Sequence, residues 1–159
     1  MNITKAELDV LEARRAHQET CPIREGFYSG TLSVWIAGKP WNPQGSDLHT
    51  ARYKKAKVIK EWRERTAHRL FAYVQWNTRK REWAPKVPKV VAFAIYSRNP
   101  FDSDNRAAVC KPLRDALKDA RLIDDDRDSS GHSFSYGQVI ARQRGAMHGI
   151  AIDIRLRDA

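Results

Sequence analysis

The side chains of this chain best suited to chemistry are its carboxylates, and they are not scattered. Of 19 Asp and Glu residues, eight lie between Asp102 and Asp128. Six of them fall into two groups. Asp102-Ser103-Asp104-Asn105 follows an apolar run, and Asp124-Asp125-Asp126-Arg127-Asp128 follows the next helical stretch. Carboxylates crowded in this way repel one another unless a cation or basic side chains neutralise them. An all-oxygen donor set suits hard ions, Mg²⁺ or Mn²⁺. Such an ion activates water, polarises a phosphoryl oxygen and stabilises a leaving oxyanion. Each group alone has a plainer reading: a helix N-cap for Asp102 and Asp104, a solvated turn for Asp124 to Asp128. A calcium loop fits neither group. Started at Asp102, it places Ala107 where Gly is needed and Leu113 where Glu is needed. Started at Asp126, it places Gly137 at the bidentate position.

Acid clusters are unexpected in a protein this basic. The chain has 159 residues, with 29 Lys and Arg against the 19 acids, for a formal charge of +10. A strongly basic soluble domain is expected to meet a polyanion, nucleic acid above all. From Arg52 to Lys86, 12 Lys or Arg stand against Glu61, Glu64 and Glu82, a difference of +9. Charge runs are often solvated faces, but here few acids are at hand to pair with. Phosphate contact is the better reading, with Arg52, Lys54, Lys55 and Lys57 as first candidates and Lys39 beside them. Metal ions between acid and phosphate would reconcile the two charge clusters. Trp41, Trp76 and Trp83 either stack on unpaired bases or, as is commoner, pack. The five His show no metal-ligand spacing, and Cys21 and Cys110 are too few for a disulfide framework or a four-ligand zinc site. No apolar run approaches the roughly 20 residues of a membrane span, and the polar N-terminus does not read as a secretory signal. The expected setting is the reducing cytoplasm, with no membrane partner.

The elements that must position these groups are legible in outline. Thr4 to about His17 reads as a short helix opened by a capping box, Thr4 with Glu7. Cys21-Pro22 and Glu25-Gly26 break the chain, so residues 1–30 read as an extension and 31–159 as the domain. Thr31 to Ala37 alternates and is a strand; Gly38 to Gly45 is a loop. From about His49 to Arg79 a long helix carries Ile59, Trp62, Thr66, Leu70 and Tyr73 on one face. Val87 to Tyr96 is apolar on both faces and reads as a central strand covered on both sides. Asn105 to Ala120 is helical in composition, with Pro112 as an interruption. Phe134 to Ala141 and Met147 to Leu156 read as a hairpin around Arg144-Gly145. The expected fold is α/β, a single small domain with a mixed sheet flanked by helices and an N-terminal helical extension.

Asp102-Ser103-Asp104-Asn105, Lys111-Pro112, Asp115-Ala116-Leu117, Leu122-Ile123 and Asp125-Asp126 occur in that order. Together they resemble the RusA-type Holliday junction resolvases, a family mostly of phage and prophage origin. Its pattern is Asp-x-Asp-Asn, Lys, often Pro, then Asp-Ala-Leu, an apolar link and an Asp-Asp pair. Strand, Gly38-x-Pro40, basic helix and the C-terminal hairpin give a weaker likeness over 31–156. The resemblance implies Asp102, Asp104 and Asp126 as metal-binding catalytic carboxylates, with Asp125 as an adjacent candidate. It implies Lys111 as the lysine near the scissile phosphate, and a homodimer with two sites. One departure stands out. The family lysine usually follows the Asn by three positions, whereas Lys111 follows Asn105 by six. Three residues are about 300° of helix, so Lys111 would keep nearly the same face one turn further on. Alternatively the helix begins near Lys111 and 105–110 form a turn, with Arg106 supplying the charge.

The resulting expectation is a Mg²⁺- or Mn²⁺-dependent endodeoxyribonuclease that resolves four-way DNA junctions by symmetric nicking. It would work in the cytoplasm at the nucleoid, or in the host cytoplasm if phage-encoded. Two other readings stand beside it. One is a non-catalytic, structure-specific DNA-binding protein, which the displaced lysine favours. The other is a metal nuclease for other branched DNA or RNA–DNA hybrids. A PD-(D/E)xK nuclease is disfavoured, since no Asp/Glu-x-Lys tripeptide follows Asp102.

Overall fold

Alternating apolar residues give this chain a sheet with one deeply buried face. The computed structural model describes residues 4–41, 52–77, 83–127 and 130–157. The elements are α1 (Lys5–Thr20), β1 (Gly26–Tyr28), β2 (Thr31–Ala37), α2 (Arg52–Asn77), β3 (Lys89–Ser97), α3 (Ser103–Asp119), β4 (Ser133–Ile140) and β5 (Gly149–Leu156). The five strands form one mixed sheet in the order β1-β2-β5-β3-β4. Its neighbours are antiparallel except for the parallel pair β3 and β4. Leu32, Val34 and Ile36 of β2, Ile150, Ile152 and Ile154 of β5, and Val91, Phe93 and Ile95 of β3 share one face. Onto it pack Trp62 and Leu70 of α2 and Val109, Leu113 and Leu117 of α3. The architecture is α/β, with three helices on a small mixed sheet.

The expected hairpin between the last two strands does not form. β5 is apolar along nearly its whole length and goes to the middle of the sheet, between β2 and β3. β4, less buried, takes the edge beside β3, because the α3 crossover returns the chain parallel to β3. The segment 141–148 therefore crosses the end of β3, a gap of two strand spacings or about 10 Å. Hydrogen bonds stitch the crossing: Ala141 N–H donates to the Ser97 carbonyl at 2.8 Å, and Arg142 Nε–H to the Arg98 carbonyl at 3.1 Å.

β3 is interior, but its second face is only partly covered. Its residues alternate between buried and half-buried, with Val90, Ala92, Ala94 and Tyr96 in the half-buried set. On that face Trp35 meets Tyr96 edge-on, with centroids 5.1 Å apart. Gly149 sits beneath Trp35, where a Cβ would come 2.6 Å from the indole ring and 2.4 Å from the Ile36 carbonyl.

The boundary expected at residue 30 also moves. β1 pairs with β2, and Glu25 accepts the Trp35 backbone N–H and binds Arg69 of α2. Residues 21–30 thus belong to the sheet, and the helical extension is α1. Its capping box forms as expected: Glu7 accepts from the Thr4 N–H at 2.9 Å, and Thr4 Oγ1 accepts from the Glu7 N–H at 3.3 Å. Leu8, Val10 and Leu11 are exposed on it.

Candidate active site and nucleic-acid interface

α3 runs without a break from Ser103 through Lys111 and Pro112 to Asp119, so a helix starting near Lys111 is excluded. Proline withholds one helical hydrogen bond, the one to the Ala108 carbonyl. Ala108 is exposed, where water supplies the missing donor. Because the helix is continuous, Asp104 and Lys111 lie within about 20° of one another around the axis and about 10 Å apart along it. Asp115 and Lys118 continue the same face. The extra residues between Asn105 and Lys111 have become a real turn of helix.

Asp102 occupies the N-cap position of α3, yet its carboxylate makes no capping hydrogen bond. Asp104 is the acidic residue of the first turn, a favourable place for negative charge. Both are exposed, and among the described residues neither carboxylate has a hydrogen-bond partner. Arg106 Nε–H is spent on the Phe101 carbonyl at 2.9 Å, which ties the guanidinium to the entrance of the helix.

Asp126 comes to the same helix face from the loop after α3. One oxygen accepts from Lys111 Nζ at 2.6 Å, the other from Lys118 Nζ at 3.1 Å. Lys111 also donates to Asp115 at 3.0 Å. The Asp126 side chain is 10% exposed and that of Lys111 53%, so the carboxylate is buried while the lysine side chain that reaches it is half exposed. Arg114 donates to the Asp126 backbone carbonyl and to the Tyr136 hydroxyl, and lies over the Phe134 ring. The Lys111 hydrogen bond holds the Asp126 carboxyl far below the usual carboxylate range. In return, chiefly through Asp126, Lys111 is held above the ordinary lysine value. Lys111 and Asp126 are therefore brought together as charge partners.

Asp125 is bound by Arg127, whose Nε–H lies 2.6 Å from its carboxylate and lowers its pKa. Asp124 accepts from His132 Nε2 at 2.8 Å, and that contact lowers its pKa as well. Nδ1 of His132 accepts the Lys89 backbone N–H at 3.1 Å, so this buried histidine carries its proton on Nε2 and is a packing residue. Asp128 lies outside the described residues.

The fit to a hard divalent ion is divided. Asp102 and Asp104 offer exposed, unspent oxygens of the right chemistry. Asp126 and Asp125 do not fit as placed, since ammonium and guanidinium groups already hold their oxygens. Among the described residues, no three His, Cys, Asp or Glu side chains are gathered closely enough to share an ion.

The basic helix also divides. From Arg63 onward the arginines are engaged: Arg63 holds Asp119 of α3 through two hydrogen bonds of 2.7 and 2.8 Å, Arg65 donates to the Ala37 carbonyl, and Arg69 binds Glu25. These partners come from other elements, which the local count of acids does not reveal. Near its N-terminus Lys54, Lys55 and Lys57 are exposed, and Lys55 Nζ lies 5.4 Å from the centre of the Trp41 ring. Among the described residues none of the three has an acidic partner, and the first turn holds no acid. Lys39 is exposed after β2. The side chains of Arg52 and Trp76, and residue His49, lie outside the described residues. Trp83 is buried edge-on against Phe27 and packs.

Sequence reasoning passed over Lys118 and Arg114. Lys118 was visible in the helical period, three residues beyond Asp115 and seven beyond Lys111. Arg114 was not, because it recognises a backbone carbonyl in another segment.

No family model matches the chain, and no curated protein matches it. Among solved structures, the chain is similar to the crystal structure of Atu1372, a protein of unknown function from Agrobacterium tumefaciens. The two are 12% identical, 94% of each chain is covered, and the TM-score is 0.41.

Proposed function

We propose that the protein is a divalent-metal-dependent endodeoxyribonuclease of the resolvase type, acting on branched DNA and on four-way junctions above all. The observation that carries this reading is the 2.6 Å contact between Lys111 and Asp126, on the helix face that begins at Asp104. Two acidic segments meet one helix, with a half-exposed lysine between them. Asp102 and Asp104 would hold Mg²⁺ or Mn²⁺, which when bound supplies water activation and charge stabilisation at the phosphate. Lys54, Lys55, Lys57 and Lys39 take the phosphate backbone. Lys111 presents its proton-bearing ammonium to the phosphate under attack, and Asp126 keeps it charged and in place. Two nicks placed symmetrically need two sites related by a two-fold axis, hence a homodimer.

The second reading, a junction-binding protein without catalysis, is favoured by one observation: both oxygens of Asp126 are held by lysines. Lys111→Met separates the two. On the nuclease reading, junction cleavage falls by about 100-fold or more, the usual effect of removing one transition-state charge, while junction affinity stays within a factor of about three. Cleavage that survives in the variant contradicts the role of Lys111. A wild-type protein that binds junctions and cuts none of them leaves the second reading in possession.

A further inference from the structure

The ends of β2, β3 and β5 leave a cavity of about 260 Å³ at one edge of the sheet. Lys39 and Pro40 line it from the end of β2, Arg98 to Phe101 from the end of β3, and His148 from the start of β5. Its lining has two chemistries. Pro40, Pro100 and Phe101 supply apolar surface, whereas Lys39 and Arg98 supply exposed positive charge. Among the described residues no carboxylate lines it, and neither cation has an acidic partner.

The walls are fixed before any ligand arrives. The Gly38 N–H donates to the His148 carbonyl at 3.0 Å, which ties β2's end to β5's start. His148 Nε2 donates to the Ala141 carbonyl at 3.1 Å, so the crossing segment holds the imidazole. Phe101 is held on both sides: its N–H donates to Gln138 Oε1 at 3.1 Å, and its carbonyl accepts from Arg106. Gln138 is itself anchored on the Ile95 carbonyl at 3.0 Å. A preformed wall loses little entropy when it binds.

Size decides the class of ligand. Whole small-molecule sites run to about 300–1,000 Å³, so this cavity suits one part of a larger molecule. Phe101, half-buried and packed in part against the core, lines the cavity beside two prolines; this apolar wall suits a nucleobase, and adjacent cations suit its phosphate.

We propose that this pocket receives one unstacked nucleotide of a DNA strand, its base on Phe101 and its phosphate on Lys39 and Arg98. The proposal deepens the DNA-processing reading and rests on it. A base paired and stacked within a duplex cannot enter, whereas a base at a branch point can be splayed out. The pocket therefore gives the protein a physical means of preferring branched DNA.

The test measures binding in EDTA, so that it does not depend on cleavage. The probe is a fluorescein-labelled four-way junction, compared with the same junction carrying abasic residues at its branch point. For the wild type, removing the bases is expected to weaken binding about tenfold, as losing a stacked base does. Phe101→Ala should bind both junctions alike, at the weaker level. Lys57→Ala should weaken both and keep their ratio. If Phe101→Ala does not fold, Phe101→Leu retains bulk without the aromatic face and should show the same lost ratio. Equal wild-type affinity for the two junctions overturns the pocket while leaving the DNA reading standing. Absence of any junction binding overturns both. A retained ratio with no cutting when metal is added overturns the nuclease alone. Deoxyadenosine monophosphate separates the two sources of a nucleotide: displacement of the junction at millimolar concentration would assign the pocket to free nucleotides and overturn the strand assignment.

Discussion

Asp126 sits between two ammonium groups, and that placement sets what its removal does. Its carboxyl is held far below the ordinary range in the folded protein, with Lys111 as the largest cause. In acid the unfolded chain therefore takes up a proton that the folded chain refuses. The contribution of Asp126 to stability is present in full above the unfolded carboxylate value, near 3.9, and is lost as pH falls below it. Lys111 is raised, so its share persists up to the ordinary lysine range and fades only above it. Asp126→Asn should cost about 2 kcal/mol at pH 7, the scale of hydrogen bonds to charged groups. That gap should narrow as pH is lowered toward 2, as thermal unfolding of both proteins across pH would show. A gap constant with pH would mean that packing, not charge, holds this loop to α3. The residue scale also shows what spacing can and cannot reveal. Lys111 and Asp126 were both singled out in the sequence, because their types and order carried the resemblance, and the structure brings them into contact. Their pairing with Lys118 and Arg114 was not, since it depends on where the loop after α3 returns.

At the scale of elements, α2 serves two ends. From Arg63 onward it uses Arg63, Arg65 and Arg69 to bind α3, the end of β2 and Glu25, while Lys54, Lys55 and Lys57 stay exposed and without acidic partners among the described residues. Replacing those three lysines by alanine should leave the melting temperature nearly unchanged. It should lower the slope of log affinity against log salt by up to about 3, near one per lost phosphate contact. An unchanged salt slope would place the DNA elsewhere. The sheet makes a complementary prediction. Gly149→Ala drives a methyl group against the Ile36 carbonyl and the Trp35 ring, at 2.4 and 2.6 Å before relaxation. Overpacking of this kind costs about 1–3 kcal/mol, which chemical denaturation measures directly. A variant as stable as the wild type would show that β5 and β2 part easily. Strand limits were readable from alternation, and β2 falls where its pattern places it. Strand order was not, because burial on both sides draws β5 inward while nearness in sequence suggests a hairpin. Pro112 misled for a related reason: one missing hydrogen bond at an exposed carbonyl is a small loss beside the packing of α3 on the sheet.

At the scale of the molecule, a net charge of +10 surrounds two unspent carboxylates at the head of α3. Among the described residues, no helix is long and apolar enough to cross a membrane. The fold class was legible because apolar periods report which faces are buried. The site was legible only in part. Composition locates the acids and bases, but only tertiary contacts show that Arg63 and Arg69 bind acids of other elements, while Lys54, Lys55 and Lys57 have no acidic partner among the described residues. The central claim, a metal-dependent cut at a branch point, is tested most directly by incubating the protein with a synthetic four-way junction and with linear duplex, flap and single-strand controls. Each is run in Mg²⁺, Mn²⁺ or EDTA, beside Asp104→Asn. The account predicts paired symmetric nicks in the junction that require the metal and disappear in the variant. Tight junction binding without cutting under either metal, or cutting untouched by Asp104→Asn, would contradict it.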